Sequence, residues 1–216
     1  MKFTPLRTLL VLLLGISATF ALVRAANSTS LPAPWKHQDI GAISIAGRAS
    51  VAEGVFTLAG TLDIWGMKDG CHFAWQPLNG DGTIVARVLS VEATQNHAKG
   101  GVAIRASLDA DAPHASMVDT PTDGAQFLSR VQAAGATTSQ KTALNKGKMP
   151  YWVKLVRAGD TITGYESADG KEWTQSGTAN VKLPATVHIG LVASSHQTDK
   201  LCAAAFDHVS ITRSHK

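Results

Sequence analysis

From Trp35 onward, apolar residues recur at alternate positions in short runs broken by Gly, Asp, Asn and Pro. That two-residue period belongs to strands with one buried face. The pattern predicts strands near 54–59, 71–78, 83–92, 100–108, 114–119, 125–132, 151–157, 160–167, 172–176, 186–194 and 201–212. No stretch between them carries a long, capped 3.6-residue period, so the fold class is all-β. Many short strands at this spacing point to a sandwich or a barrel.

The breaks carry turn chemistry. Asn79-Gly80-Asp81-Gly82, Ala158-Gly159-Asp160 and Asp169-Gly170 supply residues that accept positive φ. The polar, small-residue spacer 133–149 reads as a loop or an edge hairpin. Residues 26–37 read as a leader kept extended by Pro32 and Pro34, and 38–213 as a single domain, with no repeat or linker dividing it. Alternation assigns faces: Val102, Ile104, Ala115, Met117, Phe127 and Val131 to the core, and Arg105, His114, Ser116, Gln126 and Arg130 together to the opposite face. That face is either a polar binding surface or an ordinary solvated one.

Residues 1–25 have the form of a secretory signal: Lys2 and Arg7, then an apolar stretch from Leu9 to Val23, then Val23-Arg24-Ala25 with small residues at the cleavage positions. The stretch is short for a bilayer span of ~20 residues, so the expectation is cleavage, export to the periplasm or medium, and no stable membrane anchor. The full chain has 20 Lys and Arg against 16 Asp and Glu, a net charge of +4. Removing Lys2, Arg7 and Arg24 leaves 17 basic residues against 16 acidic. Near-neutrality without a basic run excludes nucleic acid as an expected partner.

A series of motifs then occurs in order: Thr61-Leu62-Asp63-Ile64-Trp65-Gly66, His72-Phe73-Ala74-Trp75-Gln76-Pro77-Leu78, Gly80-Asp81-Gly82, Gly101-Val102-Ala103-Ile104-Arg105, Pro150 to Arg157, Tyr165 to Trp173, Ile189-Gly190-Leu191-Val192 and Ala205-Phe206-Asp207-His208-Val209. Over about residues 38–212 the chain resembles a secreted bacterial domain of largely unknown function in the concanavalin A-like lectin/glucanase superfamily. That domain is related to the "regulation of enolase" proteins and, more distantly, to C-terminal modules of family 43 β-xylosidases. The resemblance implies a two-sheet antiparallel jelly roll with one concave face; it implies no reaction. In a jelly roll the last strand returns beside early ones, so Cys71 and Cys202, in predicted strands of an exported chain, are expected to form a disulfide; the alternative is two buried free thiols.

Exposed aromatic rings stack on the apolar faces of sugars, whereas buried ones fill a core. Trp75 shares a face with Phe73 and reads as core. Trp65, beside Asp63 and a glycine, is the first candidate platform, and Trp152 the second. The expected ligand-binding set is Asp63, Trp65, Arg105, His114, Arg130 and Trp152, with arginine and histidine donating to a saccharide and Asp63 accepting hydroxyl protons. Ser167 to Trp173 reads as a structural Asx-type turn. The eight histidines form no metal signature, and no cofactor is expected. Asp63, Asp69, Asp81, Asp109, Asp111 and Asp207 could hold a structural calcium ion, but they form no recognisable loop pattern, so no ligand set is assigned.

The glutamates are scattered and make no paired-carboxylate strand of the kind a glycosidase needs. The expectation is therefore a non-catalytic binding module for carbohydrate. Two alternatives stand: an enzyme on the same face, for instance a lyase using Arg105, Arg130, His114 and Tyr151, and an interaction domain whose face is covered by another subunit or by 133–149.

Overall fold

The computed structural model describes residues 30–214, so the expected signal segment lies outside the described residues. The described chain forms strands β1 (Lys36–Ile40), β2 (Arg48–Ala52), β3 (Val55–Gly60), β4 (Cys71–Asn79), β5 (Gly82–Val91), β6 (Lys99–Arg105), β7 (His114–Asp119), β8 (Gln126–Arg130), β9 (Thr138–Gln140), β10 (Tyr151–Ala158), β11 (Thr161–Ser167), β12 (Thr174–Asn180), β13 (Thr186–Ser194) and β14 (Cys202–Arg213). They make two antiparallel seven-stranded sheets, ordered β1-β4-β13-β6-β7-β8-β9 and β12-β11-β10-β5-β14-β3-β2. This is a jelly-roll sandwich of the concanavalin A-like kind. β6, β7 and β8 are neighbours, as their short connections predict, and β14 returns between β3 and β5. The turn at 79–82 joins strands in different sheets, with Gly80 at φ 78°, so it carries the chain across the sandwich.

Three strands lie where no strand was read: β1 and β2, and β9 as the sheet edge within the 133–149 spacer. β1 begins inside the expected leader, because Lys36 and His37 pair with Trp75 and Ala74 of β4. Leu31 and Trp35 also pack against the core, and the Trp35 ring lies 5.2 Å from Phe56.

The core between the sheets is built from alternate residues. Ala74, Val102, Ile104, Met117, Phe127 and Leu191 of the first sheet meet Leu58, Ile84, Val88, Val153, Leu155 and Phe206 of the second. Phe127 presses so close to the opposing backbone that a Cβ on Gly164 or Gly177 would lie 2.4 or 2.6 Å from its ring. Burying side chains of this size contributes about 1.5–3 kcal/mol each.

The other face of the first sheet is also dry. Cys71, Phe73, Trp75, Ala103, Val118, Leu128 and Val192 form a second apolar cluster with Ile40 and Ile64, flanked by Leu108 and Ala110. Segments 61–70 and 106–113 therefore cap the face that alternation left for solvent or ligand. Val131 departs from its assigned face: it follows the end of β8, where strand alternation no longer applies, and is 49% exposed.

The expected disulfide is absent, and Cys71 and Cys202 are free, buried thiols. β14 does return beside an early strand, but Cys202 faces the core between the sheets while Cys71 faces the capped side of the first sheet. Burial pushes the Cys71 thiol up to about 12 and the Cys202 thiol up to about 11. Titration with a thiol reagent should find both cysteines in denaturant and neither in the native protein, and a reductant should leave the unfolding midpoint unchanged.

A strap at 141–149 crosses the edge of the sandwich. Asn145 Nδ2 donates to Asp119 Oδ2 at 2.8 Å, and the Thr142 hydroxyl donates to Glu166. Burial pushes the Asp119 carboxyl up to about 7, and the Glu166 charge adds to the rise. The folded state therefore holds a proton there that the unfolded chain releases near pH 4, so this group's contribution falls as pH rises from about 4 to about 7. Asp119→Asn should remove that fall. Plotted against pH, its stability relative to wild type should climb by at most about 1.4 kcal/mol per unit across this interval, as read from urea midpoints; a flat difference would refute the assignment.

Candidate functional site

Alternation brings Arg105, His114 and Arg130 onto one face, with Arg105 opposite His114 and His114 opposite Arg130. The structure then closes that face over them, and all three are buried, at 1%, 0% and 0% exposure. The loop carboxylate of Asp69 lies between them. Arg105 Nη1 donates to Asp69 Oδ2 at 2.5 Å, and Arg130 grips both oxygens, at 2.6 Å from Nη2 and 3.0 Å from Nη1.

Most of the other guanidinium contacts are to backbone, while Arg105 Nε has no hydrogen-bond partner among the described residues. Arg105 donates to the Asp109 carbonyl, and Arg130 to the carbonyls of Gly66, Ala110, Ala112 and Gly135 and to the Thr137 hydroxyl. Burial pushes the Asp69 carboxyl up, but charge from His114 and Arg105 and hydrogen bonds from Arg130 outweigh it, so it sits below its ordinary value. Burial pushes the His114 ring down to about 3; the Asp69 charge opposes the shift, and the Arg105 and Arg130 charges add to it. Above that pH the ring is neutral, and the two guanidinium groups carry the carboxylate. The expected ligand donors Arg105 and Arg130 thus donate into the protein's own loops, and His114 is buried beside them with Nδ1 on the Ser116 hydroxyl at 3.2 Å and Nε2 without a hydrogen-bond partner among the described residues.

Trp152 is also displaced from its expected place. It lies on β10, in the other sheet, with its ring 5.1 Å from His208, Arg87 above it at 5.7 Å, and the turn at Gly170 packed so close that a Cβ there would lie 2.8 Å from the ring. That turn is built as read: Asp169 Oδ1 accepts from the backbone N–H groups of Lys171 and Glu172, at 2.8 and 3.0 Å.

Asp63 and Trp65 do come together, on the rim of a cleft of about 400 Å³ lined also by His97, Lys99, Asp123, Gln126, Ser139, Lys141 and His196. Trp65 is 48% exposed. Its neighbour Gly66 is pinned through its carbonyl by Arg130 and by the backbone and hydroxyl of Thr137. The buried arginine thus anchors the backbone that follows the exposed indole.

Asp63 is already engaged. Oδ1 accepts from Lys99 Nζ at 2.5 Å and from the Ile64 amide at 2.8 Å, and Oδ2 faces His196 Nδ1 at 2.8 Å. Lys99 is buried with its second donor on the His97 carbonyl at 2.8 Å, and the His97 and His196 rings meet edge to face at 5.4 Å.

Two residues beside this cluster hold left-handed backbone without being glycine: Leu62 at φ 59° and His196 at φ 57°. Their segments are joined by backbone bonds, Leu62 N–H to the Gln197 carbonyl at 2.7 Å and His196 N–H to the Leu62 carbonyl at 2.6 Å. Residues held in such conformations cost of order 1 kcal/mol or more each and cluster at functional sites.

Lys99, Asp123, Ser139 and Lys141 were not singled out in the sequence. Lys99 starts β6, Asp123 lies in the turn before β8, Ser139 in β9 and Lys141 just after it, and only the tertiary structure brings them to one cleft. Among the described residues no three His, Cys, Asp or Glu side chains converge as a metal ligand set.

No protein-family model matches the chain, and no curated protein does either. Solved structures share its fold. A functionally unknown protein from Saccharomyces cerevisiae is 18% identical with a TM-score of 0.64, over 88% of this chain and 97% of that one. A GH43 protein from Bacillus licheniformis is 15% identical with a TM-score of 0.58, over 77% of this chain and 34% of its own. A lectin from Bauhinia forficata, solved with GalNAc, is 12% identical with a TM-score of 0.51, over 88% of this chain and 97% of its own. The chain thus spans about a third of the GH43 protein. At these identities the likeness shows a shared jelly-roll sandwich and nothing of a shared site.

Arg105→Ala leaves Asp69 with Arg130 alone, strips the Asp109 carbonyl of its donor and opens a buried cavity. It should lower the unfolding free energy by about 2–5 kcal/mol, measured by urea denaturation. A variant of wild-type stability would mean that Arg105 is not structural.

Proposed function

We propose that this is an exported, non-catalytic carbohydrate-binding protein whose binding site is the cleft beside Trp65. The observation that carries the reading is a half-exposed indole beside a cleft lined with hydrogen-bonding side chains. Saccharide sites pair an aromatic platform for the apolar ring face with polar groups for the hydroxyls. The lectin of the same fold was solved with GalNAc, which fits this reading without locating a site.

Kinship to the "regulation of enolase" proteins, on the order of the motifs, is part of the same proposal, as is cleavage after Ala25. The buried state of Arg105, Arg130 and His114 weighs against the lyase alternative, because none can reach a uronate. Tyr151 lies elsewhere, beside Glu166. The face once considered for a partner subunit is covered by the chain's own segments 61–70 and 106–113.

Affinity electrophoresis of the mature protein against xylans, glucans and uronate-containing polysaccharides, with each lane assayed for reducing ends and unsaturated product, tests the proposal. Wild type should be retarded without product. Trp65→Ala should weaken binding by about tenfold or more at unchanged stability, and Trp152→Ala should leave it as it is. Equal retardation of wild type and Trp65→Ala would sink the assignment, and product would replace it with an enzyme.

A further inference from the structure

We infer that the cleft beside Trp65 selects saccharides that carry a carboxylate, an inference that rests on the cleft being the saccharide site. The ground is its hydrogen-bond inventory. Lys99 has three N–H donors and, among the described residues, two acceptors: Asp63 Oδ1 and the His97 carbonyl. Its ammonium is nevertheless buried, at 4% exposure, on the cleft wall. A buried donor left over costs free energy until an acceptor reaches it.

Lys141 makes one long bond of 3.4 Å to Asp123 and presents its other donors to the cleft. Gln126 has its carbonyl oxygen occupied by the Ser139 hydroxyl at 3.3 Å, which leaves its amide N–H groups. Of the two carboxylates, Asp63 is largely committed: three of its about four lone-pair positions are filled by Ile64, Lys99 and His196. Asp123 has only longer contacts here, 3.4 Å to Lys141 and 3.8 Å to His97.

Apart from Asp123, the free groups of the cleft are therefore mainly donors, two of them on ammonium groups. A neutral sugar brings hydroxyls that must donate as well as accept, and it finds few acceptors here. A carboxylate brings acceptors only, and charge-assisted bonds from Lys99 and Lys141 are the stronger kind. A uronate stacked on Trp65 with its carboxylate turned toward Lys99 and Lys141 matches this inventory.

The test pairs each of three uronate polymers (polygalacturonate, alginate and glucuronoxylan) with its carboxyl-reduced form, which keeps the backbone and loses the charge. Dextran sulfate serves as a charged polymer without carboxylates. Wild-type protein should bind at least one acidic polymer about tenfold tighter than its reduced partner, with the preference shrinking as salt rises from 50 to 500 mM.

Lys141→Ala, at an exposed position, should narrow that ratio, and so should Lys99→Met if circular dichroism shows it folded. A purely structural lysine would lower both affinities together and leave the ratio alone. Equal binding to the paired polymers, or equal binding to dextran sulfate, overturns the carboxylate inference while the saccharide site stands. Failure to bind any polymer, neutral xylan and glucan included, overturns both.

Discussion

The Asp69 carboxylate, enclosed by Arg105 and Arg130, is the interaction on which this structure depends. A carboxylate and two guanidinium groups removed from water would each cost several kcal/mol if left alone. Here one carboxylate is shared by two guanidinium groups, and most of the arginines' remaining N–H contacts go to backbone carbonyls of three segments: 61–70, 106–113 and the turn before β9. Those segments have no regular hydrogen-bonding ladder of their own. The arginines provide the partners that an irregular backbone needs once it is buried, which is how loops come to lie over an apolar sheet face.

That cap has two consequences. It converts Phe73, Trp75, Val118 and Leu128 from an exposed patch into a second core. It also anchors the backbone at Gly66, next to Trp65 on the lining of the cleft. The cleft's inner wall is set by a smaller cluster, in which Asp63 ties Lys99 of β6 to His196 beyond the end of β13. The left-handed backbone at Leu62 and His196 is tolerated because the two segments hydrogen-bond one another and share Asp63. The exposed site is thus built outward from buried charge.

Much of the fold was legible in the sequence, because strand period and turn residues act locally. The limits of β7 and β13 match the runs of alternation, and the pairing of β6, β7 and β8 follows from their short connections. β1, β2 and β9 were missed because they are short, polar strands at or near the sheet edges, whose pairing rather than composition makes them strands. The faces of Arg105, His114 and Arg130 were also right. What lay over those faces was not legible, since alternation separates two sides of a sheet and carries no information about whether the second side meets water.

The sequence by itself determined the all-β architecture, the sides to which side chains point, and the turn at Asp169-Gly170, since each follows from steric and hydrogen-bonding preferences of neighbouring residues. Only the tertiary structure decided which charged residues are reachable. Burial of Arg105 and Arg130 depends on Asp69, more than thirty residues distant in the chain. The separation of Cys71 from Cys202 depends on which face of which sheet each occupies. The cleft joins residues from 63 to 196, and its chemistry arises from contacts that no local spacing encodes.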